Sequence, residues 1–155
     1  MHHAVLQTVR ETLDRLKPPR ETTPPGRRTD PSALATNPGA LAPITRFHMR
    51  TFHSSDGHDT AGCIAGLAIT LFPGTARKAT WDLITRRHWR PGRLPVPVPR
   101  IVAAVLDAPH IHVCNLLYPA PGHYTLDRIT PHEAIAALDR FAAGHAPWPI
   151  DGPLP

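Results

Sequence analysis

The chain has 155 residues, 41% of them apolar, with twenty prolines, two cysteines and a formal charge of +5. That length supports one domain with a real core, and so few aromatics imply small Ala-, Leu- and Val-filled layers. Cys63 and Cys114 make no disulfide framework. The longest apolar run, Ala61 to Phe72, falls short of the ~20 residues a membrane-spanning helix needs. The residues after Met1 lack the apolar core of a secretory leader. The expectation is a cytoplasmic protein without a membrane partner. A basic surplus points to an anionic partner, nucleic acid among them, although a charge of this size also serves solubility alone.

In chain order, Leu6, Val9, Leu13 and Leu16 recur at helical spacing, so residues 1–17 predict an amphipathic helix. Lys17-Pro18-Pro19 ends it. Residues 18–45 are rich in Pro, Thr and Gly, carry Arg27-Arg28 and show no periodicity. They read as a proline-rich linker that buries too little apolar area to fold alone. The first helix is then tethered to the core rather than fixed in it. Its stripe is a candidate protein-binding ridge for helix-in-groove docking. Packing of the same stripe on its own core is the alternative.

Residues 46–53 alternate weakly and suit a short strand. A helix over 61–72 follows, capped by Asp59 or Thr60 and stopped at Pro73-Gly74. Its Gly62 and Gly66 suit close packing, so this helix is expected to be central and almost fully buried. A helix from Arg77 to Trp89 comes next, with Trp81, Ile84 and His88 on one side. Pro91 to Pro99 is extended and stiff, and Pro99 sits where a helix can start. Val98, Val102 and Leu106, with Ile101 and Val105 beside them, mark helix 99–106. Thr130-Pro131-His132-Glu133 is a capping box with proline in the first helical position. Ile135, Leu138, Phe141 and Ala142 give that last helix its buried face, and Gly144 its stop. Residues 150–155 form an irregular tail, with Trp148 as the anchor before it.

One segment stays open. Ala108 to Cys114 alternates cleanly. As a strand it would put His110, His112 and Cys114 on one face. As a helix from Pro109, only His110 and Cys114 share a face.

The run from Arg46 to Trp148 resembles a group of small bacterial and phage-associated proteins with a Cys-Gly-Thr-x-x-Cys-Ile-Ala-Gly core and no assigned function. The matching pieces here are His58-Asp59-Thr60-Ala61-Gly62-Cys63-Ile64-Ala65-Gly66, Val105-Leu106-Asp107-Ala108, Leu116-Leu117-Tyr118-Pro119, Ile129-Thr130-Pro131-His132-Glu133-Ala134, and Trp148. The resemblance implies a helix over 109–117. It implies no activity. His58 stands where those proteins have their first cysteine, an exchange that zinc ligands tolerate.

Four chemistries compete. His48, His53, His58 and Cys63 are the ligand types of a tetrahedral zinc site. Their five-residue spacing leaves successive residues roughly 140° apart on a helix and on alternate faces of a strand, so they converge only if the Ser-Ser-Asp-Gly turn folds back. A thiol nucleophile is the second. With Thr60 as the cap, Cys63 lies in the first helical turn, where free amides and the helix dipole lower a thiol pKa. His58 or His53 would be its base, and Asp56 or Asp59 would orient that base. The competing reading is a buried cysteine used for packing. The third is a nucleic-acid clasp from Arg86, Arg87, Trp89, Arg90 and Arg93, cations for phosphates and an indole for a base. Against it stands an ordinary cationic helix end, with Trp89 covering the core edge. The fourth is protein binding through Leu6, Val9, Leu13 and Leu16. No nucleotide loop, GxSxG or HExxH pattern is present.

The resulting expectation is a mainly α, compact small helical domain over 46–149, with at most a short β element near 46–53 and an N-terminal helix on a proline-rich linker. No cofactor is favoured, zinc being the alternative. Function is expected to be non-enzymatic: an accessory protein of phage or mobile-element type that binds a macromolecular partner, for example as an inhibitor of host machinery. The runner-up is a Cys/His enzyme or metal site around His53, His58 and Cys63. The third is nucleic-acid binding through 86–93.

Overall fold

Prolines divide the chain into short stretches, and the secondary structure follows those divisions. The computed structural model describes residues 2–18, 27–30, 33, 36–55, 59–93, 95–119 and 125–149. Its elements are α1 (His3–Arg15), β1 (Arg27–Arg28), a 3-10 turn (Pro38–Ala40), β2 (Arg46–Phe47), β3 (Ser54–Ser55), β4 (Thr60–Gly62), α2 (Ile64–Leu71), α3 (Pro73–Thr85), α4 (Val98–Leu106), α5 (His110–Leu117) and α6 (Pro131–Ala142). The mainly α expectation holds. The β part is broader than residues 46–53, because four very short strands make one sheet in the order β1-β3-β4-β2.

In that sheet β4 is central. It runs antiparallel to β3, with Ser54 opposite Ala61, and parallel to β2, with Phe47 opposite Gly62. Beyond β2 the chain end of α1 adds a rung: Phe47 N donates to Lys17 O at 3.0 Å. Strands of two and three residues cannot be seen by alternation, which needs longer runs to register.

The helix expected over 61–72 starts later. Residues 60–62 belong to β4, and Cys63 is the cap of α2. Asp59 and Thr60 therefore do not cap this helix. Every residue from Ile64 to Ile69 is buried, as expected for a helix apolar on all sides. Helix α4 packs against α2, α3, α5 and α1, so α2 and α4 together form the middle of the molecule.

Glycine explains how the sheet and helix join. A Cβ at Gly66 would overlap the Phe52 carbonyl oxygen, and one at Gly62 would overlap the Ile44 side chain. Segment 44–52 therefore lies directly on the backbone of β4 and the first turn of α2.

Helix α1 is docked, which corrects the expectation of a tethered arm. Leu6, Val9 and Leu13 are buried, and Leu16 packs partly against the core. The helix lies along α6, and Arg10 Nε donates to Asp139 Oδ1 at 2.9 Å between them. His2 N also donates to Leu106 O at 3.0 Å, tying its start to the end of α4. A stripe of three to four apolar side chains contributes several kcal/mol when buried, at about 1.5–3 kcal/mol each, so a closed core is preferred to an exposed ridge. The expected linker is also partly structured, since β1, the 3-10 turn and buried Ile44 fall within it.

Helix α3 lies four residues earlier than the expected 77–89, with Trp81 exposed and His88 in the turn after it, while α4 and α6 match their signals closely. Pro73 begins α3 in its first turn rather than only ending α2. Thr130 and Glu133 form the reciprocal capping box of α6, and Gly144 has a φ of +77° just past its end. Residues 110–117 are helical.

Gly66→Ala is expected to destabilise the fold by at least ~1–3 kcal/mol, the usual range for forced overpacking, seen as an earlier urea midpoint. Gly74→Ala is its control: nothing lies within 4 Å of a Cβ there, so its midpoint should stay or rise slightly.

Candidate functional site

The described part of the window that holds the sequence's reactive residues folds into the sheet, where its side chains have local partners. His53 is buried. Its Nε2 lies 2.9 Å from Ala42 O, and its Nδ1 2.8 Å from Thr29 Oγ1. A carbonyl only accepts, so Nε2 carries the proton and Nδ1 accepts from the threonine hydroxyl. Both ring nitrogens are thus hydrogen-bonded within the sheet region, which gives His53 a structural role of its own. His48 is buried, with its Nε2 3.8 Å from Asp127 Oδ1, and Asp127 is itself held by Arg50 at 2.9 Å. Asp56 and His58 lie outside the described residues. No group of three His, Cys, Asp or Glu side chains among the described residues is placed to hold a metal ion. The metal set of His48, His53 and Cys63 is therefore not assembled by the residues described.

Cys63 does sit at a helix N-terminus, although as the cap and not in the third position. The amides of Gly66 and Ala65 favour its thiolate. Burial opposes them and wins, pushing the thiol up to about 11. Desolvation of a charged sulfur outweighs two peptide dipoles when water is excluded. The packing reading of Cys63 accounts for this better than the nucleophile.

Asp59, expected as a cap or an orienting acid, has a different role. Its carboxylate receives Arg46 Nη2 at 2.8 Å and Lys17 Nζ at 3.2 Å. Arg46 also donates to Pro18 O at 2.8 Å. This pairing joins the end of α1, β2 and the entry to β4. The Arg46 hydrogen bond first, and Lys17 second, hold the Asp59 carboxyl at about 2.

The basic segment divides. Arg86, Arg87, His88, Arg90 and Arg93 are exposed, while Trp89 is only 1% exposed. The reason is the turn that ends α3. Arg87 N donates to Ile84 O and His88 N to Leu83 O, a Schellman closure with Arg87 in the left-handed position where glycine is usual, at φ 57°. This turn carries Trp89 inward. An indole that fills the core cannot stack a base, so the aromatic half of the expected clasp is absent.

Two features escaped the sequence reading. The first is the outer side of α5. Val113, Leu116 and Leu117 face the core, yet Ile111 is 63% exposed and Tyr118 is 54% exposed. Cys114, half-buried, lies between them, with Sγ 3.5 Å from His110 Nε2. Ile111, Cys114 and Tyr118 follow a three-then-four spacing, so they form one stripe about two turns long. The signal was present as an eight-residue segment with apolar residues on both sides, but strand and helix readings distribute those residues differently. The second is Arg100 on α4, which shares a groove with Arg86. Its contribution needs the α3–α4 packing, which periodicity does not contain.

No family model, curated protein or solved structure matches the chain. No helix among the described residues is long and apolar enough to cross a membrane.

Two measurements follow from the site. In native protein at neutral pH, alkylation of Cys63 should run at least ~100-fold slower than in urea, as a raised thiol pKa and burial require, while Cys114 takes the first equivalent. A depressed carboxyl stabilises the fold above its unfolded pKa of about 3.9, and that stabilisation disappears as pH falls through the native value. Asp59→Asn should therefore unfold in less urea than wild type at neutral pH, with the gap closing between about pH 4 and pH 2.

Proposed function

We propose that this is a non-enzymatic accessory protein that binds a protein partner along the outer face of α5. The observation that carries the reading is the second apolar side of α5: Ile111, Cys114 and Tyr118 face away from Val113, Leu116 and Leu117. A helix with apolar residues on two sides suits burial on both, and exposed aromatic and aliphatic anchors are what interface centres use. The chemistry of the partner follows from charge. The chain carries +5, and His110 and His112 flank the stripe on exposed positions. An apolar ridge bordered by acidic groups is the complementary surface.

The thiol and imidazole chemistry supports the same conclusion. Cys63 is buried and both nitrogens of His53 are bonded, so neither serves a reaction. The resemblance set out above favours a phage or mobile-element setting, with the partner drawn from host machinery.

Cys114 supplies a built-in probe. A photoactivatable maleimide placed on Cys114, with Cys63 protected by burial, should cross-link one distinct protein, and Ile111→Asp should remove that cross-link while leaving the melting temperature within about 2 °C, as is usual for a surface substitution. A cross-link only to a second copy of this chain, or one indifferent to Ile111→Asp, would sink the reading.

A further inference from the structure

Helices α3 and α4 lie side by side, and an open groove of about 450 Å³ runs between them. Its two long walls are set by helical spacing. Asp82 and Arg86 come from α3, one turn apart, and Arg100 comes from α4. His88, in the turn after α3, and His110, the first residue of α5, complete the lining. The floor is apolar and narrow, with Ala79 and Ala103 nearly buried beneath.

The cations of this groove are uncompensated. Arg10, Lys17, Arg46 and Arg50 all pair with a carboxylate. Arg86 and Arg100 enter no ion pair and no side-chain hydrogen bond among the described residues. Asp82, in the same groove, is within 4.0 Å of neither. Two arginines from the two helices therefore line one groove, together with the carboxylate of Asp82, and neither is ion-paired to it. Such side chains normally find a carboxylate or a phosphate, and the planar fork of arginine suits the bidentate recognition of either.

We propose that this groove binds a small phosphomonoester, its phosphate held between Arg86 and Arg100 and its organic body on the alanine floor. Charge favours phosphate over a single carboxylate. Two guanidiniums outweigh the single Asp82 carboxylate and can each grip one edge of a phosphate, and the His88 and His110 imidazoles add further polar groups to the lining. Size favours a small molecule, since ligand pockets span about 300–1,000 Å³ with an apolar lining and few polar groups. Nucleic acid is disfavoured by the same geometry. A strand needs an extended cationic track with stacking aromatics, but Arg90 and Arg93 lie outside the groove and Trp89 is in the core. This inference is independent of the α5 reading. The groove and the stripe share one neighbour, His110, and neither Ile111 nor Tyr118 lines the groove.

The probes are phenyl phosphate, inorganic phosphate and phenol, titrated into isotopically labelled full-length protein and followed by amide shifts. Phenyl phosphate is expected to move the groove amides from residue 79 to 86 and from 100 to 104 saturably. Inorganic phosphate should do so more weakly, and phenol not at all. Arg100→Gln keeps the stem of an exposed side chain, so the fold should persist, and it should weaken phenyl phosphate about tenfold, the loss of one charge-assisted contact. Arg86→Gln should do the same, and Arg93→Gln should not. Absence of saturable shifts overturns the proposal. So does equal binding of phenol, or binding indifferent to Arg86 and Arg100. Tighter binding of a single-stranded oligonucleotide that depends on Arg90 and Arg93 also overturns it, and assigns these cations to nucleic acid instead.

Discussion

The fold depends on one close approach, that of segment 44–52 to the backbone of β4 and α2. Phe52 places its carbonyl against Gly66, and Ile44 fills the space over Gly62. No side chain larger than hydrogen fits at either glycine without displacing its neighbour. Everything nearby is arranged by this contact. It sets the parallel pairing of β2 with β4 and seals Cys63 from water. It also brings His53 to the junction where Thr29 and Ala42 meet. A chemically rich stretch of sequence thereby becomes a structural joint.

Polar groups buried in such a joint cost stability unless they are satisfied, and the larger ones find partners here, although Arg46 Nε and Thr51 Oγ1 have none among the described residues. The buried guanidinium of Arg46 lies against the carboxylate of Asp59, and the His53 ring spans a hydroxyl and a carbonyl. A buried charge pair adds less to stability than its Coulomb energy suggests, because both ions leave water. What it supplies here is position. Lys17, Arg46 and Asp59 meet only when α1, β2 and β4 are correctly placed, so the pairing specifies their register more than it strengthens the fold. His53 and Asp59, which looked catalytic in the linear chain, each have structural partners here.

Elements governed by local rules were legible in the chain. The box of Thr130 and Glu133, the Gly144 stop and the stripe of α4 all act within one or two helical turns, and each lies where its signal placed it. Elements governed by distant partners were not. Two-residue strands carry no periodicity, so the sheet was read only near 46–53. The amphipathic stripe of α1 was visible, but whether it met α6 or a foreign groove is a question about residues more than a hundred positions away. The direction of Trp89 turned on the left-handed conformation of Arg87, which no residue preference favours. The candidate sites follow the same division. Residue types near Cys63 were plain, and their burial was not; the groove needed two helices side by side before its two arginines shared one lining.

The tail has a consequence for the order of assembly. Trp148 Nε1 donates to Leu116 O at 2.9 Å, one of the terminal carbonyls that a helix leaves open. An eight-residue helix has little stability of its own, so α5 gains its final partner from a residue made much later. Helix α1 likewise rests on α6, which follows it by more than a hundred residues. The α1–α6 closure spans most of the chain and carries a high loop-closure cost, whereas the Trp148–Leu116 bond closes a loop of 32 residues. Until α6 follows it in the chain, α1 lacks the surface its apolar stripe covers, and until residue 148 follows, the end of α5 lacks the indole that caps it.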